Sequence, residues 1–248
     1  MLEHLADQQF WIGLGQIILV NIVLSGDNAV VIALAARSLP AHQQQKAVFW
    51  GSGAAVVMRI VLTIVAVEIL KVAYLKLVGA ALLLWIAVQL LLPEGDDGEH
   101  VSASGSLGAA IRTILIADLV MSLDNVIAVA AAAKGSLTLL IIGLALSIPL
   151  VIFGSTLLLK VMDRFPVIVT VGAGLLGWVA GEMAVSDPAV GAWVNANAAW
   201  LHYGAPALGA LGVVVVGRQL ARRAEHAEAA ERELVDLAPH DERTKAHR

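Results

Sequence analysis

Two polar motifs of the same pattern lie within apolar stretches of the chain, and they are the residues best suited to chemistry. The first is Ser25-Gly26-Asp27-Asn28, and the second, 97 positions later, is Ser122-Leu123-Asp124-Asn125. Four residues before each serine stands another polar residue, Asn21 in the first copy and Asp118 in the second. A carboxylate at the centre of a bilayer costs at least about 2.5–3.5 kcal/mol on insertion scales, so two at repeated positions indicate a functional site. The alternative role is hydrogen bonding that merely links helices.

The motifs supply oxygen atoms from carboxylates, amides and hydroxyls, with no Cys or His in either copy. Mg²⁺, Ca²⁺ and Mn²⁺ prefer oxygen ligands, whereas Zn²⁺ and Cu⁺ favour nitrogen or sulfur. We therefore predict a binding site for a hard divalent cation. Its candidate ligands are Asn21, Ser25, Asp27, Asn28, Asp118, Ser122, Asp124 and Asn125. Three of these are acids, more than a 2+ ion requires, and the surplus acid predicts exchange of the ion against protons.

The motif residues do not all share one face of a regular helix. At 100° per residue Asn21, Ser25 and Asn28 fall together, but Asp27 lies about 100° away from Asn28. Each helix must therefore present a broad polar sector or unwind near its motif. Gly26 favours unwinding in the first copy, because glycine tolerates irregular backbone, and the second copy has no glycine there.

Three ionisable residues outside the motifs also lie in apolar stretches: Arg59, Glu68 and Glu182. Arg59 is deep within its stretch, and we expect it to be a counter-ion to an aspartate or a gating or coupling group. The second half has no arginine at the corresponding place, near Pro149. Glu68 and Glu182 lie near the ends of their stretches and are candidates for proton relay or gating, or for contact with the membrane interface.

The composition excludes an ordinary water-soluble enzyme. Hydrophobic residues make up 59% of the 248 positions and charged residues 15%, against about 25% charged residues in soluble domains. The chain has no Cys, no cofactor motif and no nucleophile paired with a His within an apolar stretch, so we expect no enzymatic activity. The charged tail balances acids with bases, which leaves no basic surface for nucleic acid.

Seven segments are apolar and long enough to cross a hydrocarbon core of about 30 Å. They are residues 11–36, 47–70, 74–92, 109–133, 137–160, 165–185 and 200–220. The chain therefore divides into an N-terminal repeat, an acidic Gly- and Ser-rich loop, a C-terminal repeat, a loop with the seventh span, and a charged cytoplasmic tail. These five parts are residues 1–92, 93–108, 109–185, 186–220 and 221–248.

A second internal match supports the duplication. The segment from Gly79 to Gln89 parallels the segment from Gly172 to Glu182. Each repeat contains three spans, an odd number, so the two copies enter the membrane from opposite faces. The predicted fold class is an all-α membrane protein with seven transmembrane helices, arranged as a 3+3 inverted repeat plus one additional helix. Secondary transporters are often built in this way, with the substrate site near the midplane.

The distribution of Lys and Arg predicts the orientation in the membrane. If the N-terminus is outside, the inner loops and the tail hold more basic residues than the outer segments. Cytoplasmic loops normally carry this excess. We therefore predict an outside N-terminus and a cytoplasmic C-terminus.

With these motifs the sequence resembles the TerC family of integral membrane proteins, most closely its YjbE-type branch. The resemblance is carried by Asn-Ile-Val-Leu-Ser-Gly-Asp-Asn-Ala-Val-Val-Ile-Ala at 21–33 and Ala-Asp-Leu-Val-Met-Ser-Leu-Asp-Asn-Val-Ile-Ala-Val-Ala at 117–130. It implies a bacterial inner-membrane protein of about seven helices, a historical link with tellurium resistance and, for several members, export of Mn²⁺. Asp27, Asn28, Asp124 and Asn125 match the acids and amides of the family motif. Asn21 stands where the family pattern has an acid.

These observations lead to one principal hypothesis and two alternatives. The principal hypothesis is a secondary transporter that exports a hard divalent cation, with Mn²⁺ favoured, in exchange for protons. Membrane lipid and the cation are the partners it implies, and no oligomeric state follows from the sequence. The first alternative is an exporter of a small oxyanion or organic solute, for which Arg59 is the only deep base. The second is a membrane scaffold that does not transport and that assists metallation or processing of exported proteins.

Overall fold

The computed structural model describes residues 8–23, 26–69, 72–92, 106–133 and 136–237. Within these ranges all regular structure is α-helical, as the sequence predicts. The helices there are α1 Gln8–Val23, α2 Gly26–Ala36, α3 Ala41–Ile69, α4 Leu75–Gln89, α5 Leu107–Ala133, α6 Leu137–Arg164, α7 Val167–Ser186, α8 Gly191–Asn197 and α9 Leu201–Leu237. The predicted loop 93–108 lies outside the described residues, apart from 106–108.

Four of the described helices are long and apolar enough to cross a membrane. The spanning segments are Ala41–Val65 of α3, Thr138–Arg164 of α6, Val167–Ser186 of α7 and Leu201–Ala224 of α9. They correspond to the second, fifth, sixth and seventh predicted spans. The fourth predicted span is the 27-residue α5, and the third is the shorter α4 of 15 residues. The first predicted span contains α1 and α2, and residues 24 and 25 lie outside the described residues.

Polar side chains define two of the helix ends. Ser136 caps α6, since its hydroxyl accepts a hydrogen bond from the backbone N–H of Leu139 at 3.2 Å. Gln44, near the start of α3, donates its side-chain amide to the carbonyl oxygens of Arg37 and Leu39 at 3.1 and 3.0 Å. These bonds satisfy carbonyls just beyond the end of α2 and close the turn between α2 and α3.

The helices pack in pairs that recur in the two halves of the chain. α3 packs against α5, and the first segment, α1 with α2, packs against α6. α4 packs against α7 and α3 against α6, while α2 contacts α7 and α4 contacts α5. Exchanging the first segment with α5, α3 with α6 and α4 with α7 converts the packing of α3 on α5 into that of the first segment on α6. It also converts the contact of α2 with α7 into that of α4 with α5, and it leaves the pairs α4–α7 and α3–α6 unchanged. The main hydrophobic core lies among these helices.

Helix α9 meets α7 through direct backbone contact. A β-carbon on Gly177 would clash with the carbonyl oxygen of Gly209, and one on Gly209 would clash with that of Gly177. One turn further along α7, a β-carbon on Gly181 would clash with the carbonyl oxygen of Ala205. Small residues allow this approach, and the resulting van der Waals packing stabilises helix pairs in a membrane, where hydrophobic driving force between helices is weak.

We expect Gly209→Leu to lower the thermal unfolding temperature of the purified protein in detergent, because the backbone of α7 leaves no room for the side chain. Overpacking typically costs about 1–3 kcal/mol. Gly212→Leu is the matched control on the same helix, since a β-carbon at Gly212 meets no atom within 4 Å. Equal unfolding temperatures for the two variants would contradict the close contact between α7 and α9.

A buried carboxylate joins the start of α4 to the end of α7. Asp187 is fully buried and accepts hydrogen bonds from four backbone N–H groups, those of Tyr74, Lys76, Leu77 and Ala189, at 3.0, 3.0, 3.3 and 2.7 Å. The first N–H groups of a helix have no partner within it, so the carboxylate serves as the cap of α4. Burial alone would raise the pKa of Asp187, but the backbone donors outweigh it and hold the pKa below its usual value.

We expect Asp187→Asn to destabilise the protein by about 1–3 kcal/mol at neutral pH, because an amide leaves part of this donor set unsatisfied. Since the folded-state pKa lies below the unfolded one, the stabilisation is present above the unfolded pKa and is lost as pH falls through the folded pKa. Thermal unfolding followed from neutral to acidic pH should therefore show a weaker pH dependence in the variant.

The control is Asp163→Asn, at an exposed position of α6, which should keep the pH dependence of the parent. A parent-like profile for Asp187→Asn would show that the carboxylate does not stabilise this loop through its charge.

Candidate cation site

A buried ion pair links α3 of the first half to α5 of the second. Arg59 and Asp118 are each 4% exposed, and Arg59 Nη2 lies 2.5 Å from Asp118 Oδ1. Ser122 completes the group, because its Oγ accepts a hydrogen bond from Arg59 Nε at 3.0 Å and donates one to Asp118 Oδ2 at 3.2 Å. The three side chains form a closed ring of hydrogen bonds, which we call the Arg59 ring. It has the counter-ion arrangement expected of a deep arginine.

Helix geometry and one glycine bring these residues together. Asp118 and Ser122 are four residues apart on α5 and therefore share a face. Ile114, one turn earlier, contacts Gly51 of α3, where a β-carbon would lie 2.8 Å from Ile114 Cδ1. A larger residue at Gly51 would hold α3 and α5 apart. The close approach lets the guanidinium of Arg59, two turns later on α3, reach the carboxylate.

Neither charge of the ring could remain buried alone. Transfer of an ion to a low-dielectric interior costs several kcal/mol even after relaxation, and removal of one partner from a buried pair typically costs about 3–5 kcal/mol. Arginine keeps its proton in proteins, so the buried guanidinium requires an anionic partner. Asp118 meets this requirement with one oxygen and bonds Ser122 with the other.

The acid of the first motif belongs to the same group of charges. Asp27 is partly buried in the first turn of α2, and its Oδ1 accepts a hydrogen bond from the backbone N–H of Asn28 at 2.8 Å. Its carboxylate interacts electrostatically with both Arg59 and Asp118. The first turn of a helix favours an anion because of the helix dipole. The charges of Arg59 on α3 and Asp118 on α5 therefore act on the carboxylate of Asp27 on α2.

The two motifs lie on different backbone. α5 runs without interruption through Leu123, so the second motif is on a regular helix. In the first copy α1 ends at Val23 and α2 begins at Gly26. The expectation that the second copy does not unwind agrees with the continuous α5. Unwinding of the first copy stays a prediction, because residues 24 and 25 lie outside the described residues.

Five of the eight predicted ligands have described side chains: Asp27, Asn28, Asp118, Ser122 and Asn125. Asn28 is buried and Asn125 is half-buried. The other three, Asn21, Ser25 and Asp124, have side chains outside the described residues. Among the described side chains, no three from His, Cys, Asp and Glu are grouped to hold a metal ion. The convergence of all three acids therefore stays a prediction.

The two candidate gate acids are placed differently. Glu182 is exposed one turn before the end of α7, a position suited to the membrane interface, and it is not part of the Arg59 ring. Glu68 belongs to the last turn of α3, and its side chain lies outside the described residues. A relay or gating role for either residue stays a prediction.

Two buried hydroxyls and one buried acid were not among the residues that sequence reasoning selects. Ser52 on α3 and Ser155 on α6 are 1% and 0% exposed, and neither Oγ bonds any described atom. Serines are common in membrane helices, and Ser147 of α6 simply bonds the carbonyl of its own helix at Leu144. Asp187 had a signal, because Ser-Asp-Pro after a long apolar stretch favours a turn.

Comparison with known proteins reveals relatives of the whole membrane domain. The profile of the integral membrane protein TerC family matches residues 6–225. The uncharacterized membrane protein YjbE of Bacillus subtilis is 46% identical over 181 residues, which make up 73% of this chain and 83% of that protein. YceF of Bacillus subtilis is 28% identical, over 74% of the chain and 75% of its own length. The inner membrane protein YgdQ of Escherichia coli is 26% identical, over 65% and 75%. No solved structure matches the chain.

The family match includes both polar motifs and all three residues of the Arg59 ring. It agrees with the all-helical fold and with the four helices able to cross a membrane. The protein is therefore an integral, multi-pass membrane protein of a bacterial inner-membrane family, and the chain belongs to the TerC family.

Proposed function

We propose that the protein is a secondary transporter that exports a hard divalent cation, with Mn²⁺ as the favoured substrate. The observation that carries the proposal is the buried ion pair of Arg59 and Asp118, whose charges also act on the partly buried Asp27. Ionisable residues within membrane helices are costly, and they mark ion pathways and proton relays. These three come from both halves of the chain, as expected for a substrate site between two repeats.

The available ligand atoms support a hard cation. The motifs offer carboxylates, amides and hydroxyls, and they contain no thiolate or imidazole. Ions such as Mn²⁺, Mg²⁺ and Ca²⁺ bind this set well. Mn²⁺ is favoured among them by the family resemblance, which implies Mn²⁺ export for several members. In this proposal Asp27 and Asp124 are the two acids at equivalent positions of the repeats.

Alternating access in this proposal depends on a 3+3 inverted repeat, with α9 as the additional helix. The pairing of the helices supports this architecture, because exchange of the two halves converts the packing of α3 on α5 into that of the first segment on α6. It also converts the contact of α2 with α7 into that of α5 with α4. Relative movement of the halves would open the site to each side in turn, with proton entry driving cation exit.

The Arg59 ring argues against export of an oxyanion. Such a solute needs an available cationic group, and Arg59 is the only base deep within a predicted span. Its guanidinium bonds Asp118 and Ser122. An anion would have to displace a buried carboxylate, which is costly. A scaffold without transport activity is the alternative that a flux measurement decides.

We expect Asp27→Asn and Asp124→Asn each to reduce Mn²⁺ flux in proteoliposomes by at least about tenfold, because loss of one charge leaves a 2+ ion underneutralised at low dielectric. A panel of Mn²⁺, Mg²⁺, Ca²⁺ and Zn²⁺, with and without a pH gradient, identifies the substrate and its coupling. Asp163→Asn, exposed on α6, is the control. Unchanged flux in both motif variants would contradict the site. Absence of flux for every ion in the parent protein would favour the scaffold.

We propose an outside N-terminus and a cytoplasmic tail, because Arg218, Arg222 and Arg223 follow the apolar part of α9. The chain has no cysteine, so single introduced thiols report their side of the membrane. We expect an impermeant maleimide to label Ala192→Cys in intact cells and to label His226→Cys only after permeabilisation. Both positions are exposed. The reverse pattern would overturn the orientation.

A further inference from the structure

Contacts between helices establish which residues around the ion pair are equivalent. A β-carbon at Gly51 of α3 would clash with Ile114 of α5, and one at Gly143 of α6 would clash with Ile17 of α1. Ile17 and Ile114 are 97 positions apart, the same separation as the two motifs. Gly51 and Gly143 are therefore equivalent positions, and the residues that follow them on α3 and α6 correspond at an offset of 92 positions.

The residue equivalent to Arg59 is thus Val151, a neutral residue in the neighbourhood of Pro149 that the sequence indicates. The 97-residue separation of the motifs makes Asn21 the counterpart of Asp118. Asn21 and Val151 are therefore both neutral, whereas Asp118 and Arg59 are both charged. The additional carboxylate and the additional guanidinium occur together, and they bond each other.

We propose that Arg59 cancels the charge of Asp118 and thereby sets the net charge of the substrate site. The acids that remain for the substrate are Asp27 and Asp124, whose two charges match a 2+ ion. Asp118 is then a partner of Arg59 and not a ligand, and Arg59 is a positioning residue that determines selectivity for divalent over trivalent cations. This inference rests on the proposed function.

The hydrogen bonds of Asp118 support its role as the partner of Arg59 and not as a ligand of the substrate. Its Oδ1 faces Arg59 Nη2 at 2.5 Å, and its Oδ2 accepts the hydroxyl of Ser122 at 3.2 Å. A cation could bind Asp118 Oδ1 only by displacing the buried guanidinium from this carboxylate, which is costly. Asp27 is less buried than Asp118, and its described hydrogen bond comes from a backbone N–H, which carries no net charge.

Removing the two charges separately and together tests the proposal. Binding of Mn²⁺ and of Tb³⁺ is measured by calorimetry on the full-length protein in detergent, for Arg59→Gln, Asp118→Asn and the double variant. Asp118→Asn removes the negative charge that cancels the charge of Arg59, so the Kd for Mn²⁺ should rise at least about tenfold. The double variant loses both charges, and its Kd should return to within about threefold of the parent. Arg59→Gln leaves an additional negative charge, which should raise the affinity for Tb³⁺ relative to Mn²⁺ at least about tenfold.

Two control variants distinguish the effect of the charge at position 59 from the effect of side-chain shape. Arg59→Lys keeps the positive charge and should retain the Tb³⁺ to Mn²⁺ affinity ratio of the parent. Arg112→Gln makes the same substitution at an exposed position of α5 and should change neither Kd.

A double variant that binds Mn²⁺ as weakly as Asp118→Asn would overturn the proposal, because Asp118 would then be a ligand. An unchanged affinity ratio in Arg59→Gln would overturn it as well. Where a single variant does not fold, the double variant with parent-like helix content decides by itself: parent-like affinity supports the proposal and loss of binding overturns it. Failure of the parent to bind or transport any divalent cation would instead refute the proposed function.

Discussion

Removing a charged group from water costs several kcal/mol even after its surroundings relax. Arg59 and Asp118 are both almost completely buried, so each loses hydration free energy. The attraction between their opposite charges compensates for this loss. Because one belongs to α3 and the other to α5, their bond constrains the rotation and relative height of two helices from different halves of the chain. The charges that act on Asp27 of α2 include those of both members of this pair.

Contacts other than the ion pair support the helices around it. α4, α7 and α9 all contact one another, and α7 meets α9 backbone to backbone at Gly177 and Gly209. Asp187 ties the start of α4 to the end of α7 by accepting backbone hydrogen bonds outside the spanning segments. Close packing of small residues and complete backbone hydrogen bonding stabilise a bundle in lipid, where little apolar area is removed from water. The ion pair and the described motif residues lie on α2, α3 and α5, which are not part of this group of three helices.

The two halves of the chain share one polar motif and differ in their charges. Each copy contributes one Ser-x-Asp-Asn motif, which would give two equivalent acids to a substrate between them. An acid added to one copy alone, as at Asp118, needs a base in the same low-dielectric interior, and Arg59 supplies it. A deeply buried arginine is therefore compatible with a nearby cation site, because Asp118 neutralises its positive charge.

The apolar stretches by themselves determined that the chain is a bundle of membrane helices, since backbone groups in lipid must bond within their own segment. The repeated motifs likewise determined the available ligand chemistry and the family. Tertiary structure decided which aspartate Arg59 bonds, because several lie in apolar stretches and the choice depends on how α3 packs against α5 at Gly51 and Ile114. It also decided that Gly51 meets Ile114 and that Gly143 meets Ile17, since only the packing of the helices creates these contacts. The cap that Asp187 provides joins residues more than 110 positions apart, and only the folded register of α4 and α7 brings such groups within hydrogen-bonding distance.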